Sequence, residues 1–187
     1  MGRRRAVGRD HAPVAGGEGV ILSDRDLTDA MVTGAVVVEP FEAWQLQPAS
    51  IDLRLGSEFI VDGEHTVVPG DKRACLPRRG FALATTLEVV GVDAHHVARI
   101  EGKSTYGRRG LLVHCTAGYI DPGFRGRVTL ELANVGPNPI YFTPGQPICQ
   151  LSVIRLTSEA LHPYGSPHLK SRYQGQATVT GARGDDQ

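Results

Sequence analysis

The residues best suited to chemistry lie in one stretch of the chain, Glu101 to Leu132. It begins with GKSTYGRRG, residues 102–110, where glycines, hydroxyls and cations are crowded together. Glycine lets backbone N–H groups approach an anion, while serine, lysine and arginine side chains add donors and positive charge. The pattern is typical of a phosphate site, although the GxxxxGK[ST] order of a Walker loop is absent.

Two carboxylates follow in the same stretch. Asp121 lies in AGYIDPGFRG, residues 117–126, which reads as a Gly/Pro-rich turn, and Glu131 lies in RVTLEL, residues 127–132, which alternates like a strand. A carboxylate held among apolar neighbours can work as a general base. On this local context alone, a strand glutamate that faces solvent is the alternative.

Composition indicates a globular protein with a core of its own. The 187 residues suggest one domain, with 41% hydrophobic and 21% charged residues and a formal net charge of zero. A net charge of zero does not indicate the positive surface with which proteins bind nucleic acids or membranes. No apolar run is long enough to span a bilayer. The three cysteines form no CxxC pair, so a reducing, cytoplasmic location is expected. Cys115 and Cys149 are expected to be small buried hydrophobes.

The elements that must position these residues are mostly short strands. Residues 21–33 predict a helix that Ser23 caps and Gly34 ends. Further strands separated by Gly/Pro turns predict an all-β sandwich or barrel. In one of them, residues 51–55, Asp52 and Arg54 are expected as a structural charge pair on a wet face. We expect a disordered arm at 1–19, a β domain at 20–160 and a tail at 161–187.

Several motifs in order also resemble a known family. GKSTYGRRGL, TAGYIDPGFRG, VTLEL and RYQGQ are similar to the dCTP deaminases of the dUTPase-like superfamily, from about Leu22 to Gln176. The resemblance implies a distorted jelly-roll or β-clip barrel with one N-terminal helix, assembled as a homotrimer with active sites between subunits. It implies hydrolytic deamination of dCTP. Because the H-x-E and P-C-x-x-C signatures of zinc deaminases are absent, we expect no zinc. Mg²⁺ is expected to bind as a complex with the triphosphate of the nucleotide.

The resemblance also implies roles for particular residues. Glu131 would activate the attacking water and protonate the leaving amine, with Ser104 and Arg108 orienting both. Asp121 would accept from the deoxyribose 3′-OH, Phe124 would pack on the sugar, and the tail would close over the nucleotide. The implied nucleotide-binding set is Lys103, Ser104, Thr105, Tyr106, Gly107, Arg108, Asp121, Phe124, Thr129, Leu130, Glu131, Gln150, Tyr164, Arg172 and Gln176. Lys103, Thr105 and Arg172 replace the arginine, serine and lysine usual in the family.

One dipeptide bears on the product. Gly118-Tyr119 resembles the members that also cleave dUTP to dUMP and pyrophosphate, whereas members that stop at dUTP tend to carry His-Arg. Gly118 is expected to open room near the α-phosphate, where Asp121 could activate a second water. The open alternatives are a deaminase that stops at dUTP, a plain dUTPase, a protein that only binds nucleotide, and a deaminase of a modified cytosine nucleotide.

Overall fold

A computed structural model describes residues 20–183, and the expected 1–19 arm and the last four residues of the tail lie outside them. The described chain is almost entirely β-structure. Its strands are β1 (Val36–Glu39), β2 (Leu46–Gln47), β3 (Ser50–Val61), β4 (Glu64–Val67), β5 (Ala74–Leu76), β6 (Phe81–Val92), β7 (His96–Gly102), β8 (Leu111–Leu112), β9 (Tyr119–Ile120), β10 (Arg125–Asn134), β11 (Ile140–Phe142) and β12 (Pro147–Arg155). The helices are α1 (Asp24–Thr33), the single turn α2 (Ser104–Gly107) and two 3₁₀ turns at Ala43–Gln45 and Pro167–Leu169. The all-β class with one N-terminal helix is confirmed.

Helix α1 begins and ends at the residues that its sequence indicates. The Ser23 hydroxyl accepts a hydrogen bond from the Asp26 backbone N–H at 3.3 Å, and Gly34 ends the helix in the left-handed conformation with φ 77°. The helix starts three residues later than predicted. Ile21 and Leu22 instead pair with the end of β12, where the Leu22 N–H bonds the Val153 carbonyl at 2.9 Å.

The strands form one curled antiparallel sheet and one small two-stranded antiparallel sheet. The main sheet runs in the order β8-β10-β6-β3-β12-β7-β9, with β1 added to β6 and with β2 and β4 added to β3. β5 and β11 form a separate two-stranded sheet. Because the main sheet curls on itself, its inner side chains, such as Ile51, Leu130 and Leu151, are completely buried and form the core. No helix in residues 20–183 is both long and apolar enough to span a membrane.

Strand β3 differs from its prediction on one face. Asp52 and Arg54 are 5% and 9% exposed, so the face expected to be wet is covered. Arg54 donates through Nε to the fully buried Glu88 at 2.6 Å and also pairs with Glu42, while Asp52 pairs with Lys103. Both charges have partners, but each pairs with other residues inside the protein rather than with the other on a wet face. Alternation showed that the two faces differ and could not show that both are covered.

Strand β10 positions the chemistry. Its even-numbered residues from 126 to 134 are buried, and the odd-numbered residues between them are partly exposed on the opposite face. A bulge interrupts its pairing with β6 between Arg127 and Thr129. This alternation sends Leu130 and Leu132 into the core and puts Thr129 and Glu131 on the other face, as the period of a strand requires.

Candidate active site

A cavity of about 460 Å³ lies between β10, the turn after β9 and the C-terminal tail. That is within the usual range for small-molecule sites. Its lining residues are Leu83, Ala117, Tyr119, Ile120, Asp121, Phe124, Arg127, Val128, Thr129, Glu131, Tyr164, Tyr173, Gln176, Thr180 and Ala182. The cavity brings together both carboxylates that the sequence singles out, together with Phe124, Thr129 and two of the expected tail residues, Tyr164 and Gln176.

Glu131 is held in a defined position on the cavity wall. Its Oε2 accepts hydrogen bonds from the backbone N–H groups of Cys115 at 2.7 Å and Thr116 at 3.2 Å. Its own backbone N–H bonds the Val113 carbonyl at 3.0 Å. The segment after β8 therefore orients the carboxylate through backbone atoms alone. A carboxylate fixed in this way, in a cavity, can exchange a proton with a bound water.

Cys115 differs from its prediction. Cys149 is completely buried, and burial raises the pKa of its thiol, but Cys115 is exposed beside the carboxylate. Partial burial and then the negative charge of Glu131 raise the pKa of the Cys115 thiol as well. Both effects disfavour the thiolate, so this cysteine is not primed as a nucleophile.

The turn after β9 supplies the second carboxylate. Asp121 is exposed on the cavity wall, and its carbonyl accepts from the Phe124 N–H at 3.1 Å, which places the Phe124 ring in the same cavity. Gly118 is buried and outside the lining, while Tyr119 lies in it. A Cβ at Gly118 would come within 3.0 Å of the His114 ring. The glycine thus makes room for His114, a residue that belongs to none of the sequence motifs.

The tail packs along β10 and closes one side of the cavity. Gln176 is 8% exposed; its side chain donates to the Thr129 hydroxyl at 2.5 Å, and its carbonyl accepts from the Arg127 N–H at 2.7 Å. The Tyr164 hydroxyl accepts from the Tyr173 N–H at 3.0 Å, and the Tyr164 ring stands edge-on to that of Phe124, with centroids 5.7 Å apart. Backbone and side-chain hydrogen bonds, rather than an apolar core, hold this polar segment.

Three expected nucleotide contacts are arranged differently from the others. Leu130 is completely buried, so only its backbone can reach a ligand. The Tyr106 ring packs towards Phe142, with centroids 6.3 Å apart, and burial raises the pKa of its hydroxyl. Arg172 lies outside the cavity lining and donates to the Arg183 carbonyl.

The phosphate-type loop lies away from the cavity of its own chain. Lys103 donates to the Asp52 carboxylate at 2.5 Å, and Gln150, which pairs with Asp52 across β12 and β3, donates to the Ser50 hydroxyl at 3.1 Å. Ser104, Thr105, Gly107 and Arg108 are exposed, and none of them lines the cavity that holds Glu131. One chain therefore carries the two halves of the expected site on separate surfaces.

Comparison with known proteins agrees with these features. Residues 21–156 match the family model described as dCTP deaminase-like. The chain is 44% identical to proteins named "dCTP deaminase, dUMP-forming" from Acidothermus cellulolyticus and Streptomyces coelicolor, with 88% of this chain and 95% of each relative covered.

Solved structures share the fold. The 2′-deoxycytidine 5′-triphosphate deaminase of Agrobacterium tumefaciens superposes with a TM-score of 0.63 at 21% identity, over 73% of this chain and 48% of that longer chain. The native EIAV dUTPase superposes with a TM-score of 0.50 at 21% identity, over 70% of this chain and 94% of that one. These likenesses show that the chain shares its curled β fold with a dCTP deaminase and a dUTPase.

Proposed function

The chain belongs to the dCTP deaminase-like family, and from this premise we propose that it is a zinc-independent dCTP deaminase that forms dUMP. In the first reaction, dCTP and water give dUTP and ammonia; in the second, dUTP and water give dUMP and pyrophosphate. The observation that carries the proposal is Glu131, which two backbone N–H groups hold on the wall of the cavity. Relatives that cover most of the chain carry the same activity in their names.

Glu131 serves the deamination as both base and acid. Its carboxylate takes a proton from water as the oxygen attacks C4 of cytosine, and then returns that proton to the departing amine. The Cys115 and Thr116 amides keep one oxygen of the carboxylate fixed, so the carboxylate needs little reorganisation during the reaction. Ser104 and Arg108 complete the arrangement from the phosphate loop of another subunit.

The other cavity residues bind the nucleoside. Asp121 accepts from the 3′-OH, and Phe124, braced by Tyr164, packs against the sugar and disfavours a 2′-OH. The backbone around Thr129 reads the base edge. Gln176 caps this end of the cavity through its bond to the Thr129 hydroxyl, so the tail closes over the bound nucleotide.

The second step removes pyrophosphate from dUTP. Gly118-Tyr119 and the names of the relatives support this step, with Asp121 activating the second water. The substrate is the Mg²⁺–nucleotide complex, in which phosphate oxygens and water ligate the metal. Within residues 20–183 no cluster of three or more His, Cys, Asp or Glu side chains is arranged to hold a metal by itself. The cytoplasmic location stays a prediction.

The division of the site supports a homotrimer with active sites between subunits. Glu131 and Asp121 line the cavity, whereas Ser104 and Arg108 lie on a different surface of the same chain. A cyclic arrangement lets the phosphate loop of one subunit complete the cavity of the next. Analytical ultracentrifugation can measure the number of subunits in the assembly. A protein that is purely monomeric and fully active would refute the arrangement.

The function is tested by product analysis. Purified protein with dCTP and Mg²⁺ is expected to accumulate dUMP and pyrophosphate, resolved by anion-exchange chromatography, together with ammonia. Accumulation of dUTP alone would limit the enzyme to deamination and remove the role given to Gly118-Tyr119. Turnover of dUTP but not dCTP would make it a plain dUTPase. With no turnover of either, a modified cytosine nucleotide or simple nucleotide binding becomes the better assignment.

Two variants separate the steps. Glu131→Gln is expected to lower the rate of ammonia release by about 10² to 10⁴, the usual contribution of a general base, with nucleotide binding retained. Glu64→Gln, an exposed strand glutamate outside the cavity, is the matched control. Asp121→Asn is expected to slow pyrophosphate release. Ammonia release at the wild-type rate in Glu131→Gln would show that another group is the base.

A mixing experiment tests the interfacial site directly. Glu131→Gln and Arg108→Gln chains are each expected to be inactive when pure. After unfolding and refolding together in equal amounts, about a quarter of the sites in a cyclic trimer combine two intact halves, so activity should reappear at about that fraction. Failure of the mixed protein to regain activity would place both halves within one chain.

A further inference from the structure

Three arginines line a second concave surface, separate from the cavity that holds Glu131. This arginine groove has a volume of about 440 Å³ and is lined by Arg73, Arg108, Arg109, Pro137, Asn138, Pro139, Ile140 and Tyr141. No acidic side chain belongs to its lining. Arg108 and Arg109 come from the stretch 102–110 that the sequence indicates as a phosphate site, whereas Arg73 comes from outside that stretch.

The walls of the groove are rigidly built. Asn134, which is 1% exposed, donates to the carbonyls of Leu76 at 3.1 Å and Asn138 at 2.9 Å, and accepts from the Gly136 N–H at 3.0 Å. A Cβ on Gly110 would lie 2.3 Å from the Gly136 nitrogen, so the loop and the turn touch through their backbones. The groove is therefore a feature of the fold rather than a chance meeting of surface side chains.

The positive charges in the groove are not neutralised by the protein. None of the three arginines forms a salt bridge with a carboxylate of residues 20–183, although Arg54, Arg99 and Arg125 all do. Instead, the Arg73 guanidinium lies 5.1 Å from the centre of the Tyr141 ring, and that of Arg109 lies 5.9 Å from the Tyr106 ring. These rings hold the two guanidinium groups in place and leave their N–H donors available.

We propose that the arginine groove binds a polyphosphate anion, a diphosphate or triphosphate group, through Arg73 and Arg109 in addition to Arg108. Guanidinium forks match phosphate oxygens bidentately, and an anion relieves the repulsion of three cations that share one groove. Such a group has two sources, the terminal phosphates of a bound nucleotide or free inorganic pyrophosphate. The choice between these sources rests on the proposed function, whereas binding of the anion itself does not.

Calorimetric titration with inorganic pyrophosphate tests the proposal without any turnover. The wild type is compared with the double variant Arg73→Gln/Arg109→Gln, which leaves Arg108 in place. The control is Arg78→Gln/Arg155→Gln, which removes the same charge from two exposed arginines outside the groove. Melting temperatures are measured for all three proteins. We expect the groove variant to bind pyrophosphate at least about tenfold more weakly than the control, since charge-assisted hydrogen bonds are lost.

A second arm identifies the source of the anion. In a Glu131→Gln background, dCTP and dCMP are titrated with and without the two groove substitutions. A weaker affinity for dCTP, with that for dCMP unchanged, assigns the groove to the terminal phosphates of the nucleotide. Weaker pyrophosphate binding alone assigns it to the free anion. If neither pyrophosphate nor dCTP binds more weakly in the groove variant, the proposal is wrong, whether or not the wild type releases ammonia from dCTP.

Discussion

Replacement of Gly126 by alanine should detach the tail without disturbing the core. A Cβ at this position would lie 2.9 Å from the backbone nitrogen and 3.0 Å from the carbonyl oxygen of Gln176, whereas ordinary contacts begin at 3.4 Å. The obstacle is the backbone of the tail, which cannot rotate away like a side chain. The tail must therefore move out by about half an ångström, which stretches and weakens its short hydrogen bonds to the strand.

The expected magnitude follows from three of those bonds. The Arg127 N–H donates to the Gln176 carbonyl at 2.7 Å, the Gly175 N–H donates to the Arg125 carbonyl at 2.9 Å, and the Gln176 side chain donates to Thr129 at 2.5 Å. At about 1 kcal/mol each, their loss amounts to about 3 kcal/mol. Since 1.4 kcal/mol is a factor of ten in an equilibrium constant, the equilibrium constant for docking of the tail should fall by up to about 10².

Hydrogen exchange and kinetics measure this effect separately. Amides of residues 171–183 should lose protection in Gly126→Ala, and the KM for dCTP should rise by up to about 10², while the melting temperature changes little. Gly181→Ala is the control, because no atom lies within 4 Å of a Cβ at that position. A chain that ends at Tyr173 should reproduce the change in KM without altering β10.

The reasoning would be refuted by a Gly126→Ala protein whose tail amides stay protected and whose KM lies within twofold of the wild-type value. It would also be refuted if the truncated chain kept its KM, because the tail would then contribute nothing to nucleotide binding. A large fall in melting temperature in Gly126→Ala alone would assign the effect to β10 instead of the tail.

Three further outcomes are expected. Glu88→Gln should lower the free energy of unfolding by about 3 kcal/mol, measured in urea, because Arg54 then loses its fully buried partner at 2.6 Å; a loss below about 1 kcal/mol would contradict this. Alkylation of Cys115 should reach half its maximal rate at a higher pH than that of a free cysteine, and Glu131→Gln should move that midpoint down, since removing the negative charge favours the thiolate. An unchanged midpoint would contradict the contact. Cys149 should stay unmodified in the native protein, because it is completely buried and burial raises its pKa.

Local patterns predicted the bounds of α1 closely and the two faces of β10 correctly. The Ser23 cap and the Gly34 stop act within a few residues of the helix they delimit, so the sequence contains all the information needed. The alternation of β10 likewise predicted that Glu131 and Leu132 face opposite sides. Such features depend on the 3.6-residue and two-residue periods of the chain itself.

Features that depend on distant segments could not be predicted from such patterns. Lys103 and Asp52 are 51 residues apart, and only the β3–β12–β7 order of the sheet brings them together. The docked tail depends on backbone hydrogen bonds, which composition does not encode. The separation of Arg108 from Glu131 is also invisible locally, because the sequence motifs do not state whether one chain or two supply a site.

The alternation of β10 also has a consequence for how such an enzyme can change during evolution. Apart from Val128, which is buried and also lines the cavity, residues that touch the cavity and residues that fill the core take turns along one strand, so they occupy independent positions only one residue apart. Substitutions at Arg127 or Thr129 can therefore alter which nucleotide is accepted while the interior stays intact. Selection can explore new substrates at this strand with little loss of folding stability, whereas a single inserted residue would exchange the two faces and abolish both properties together.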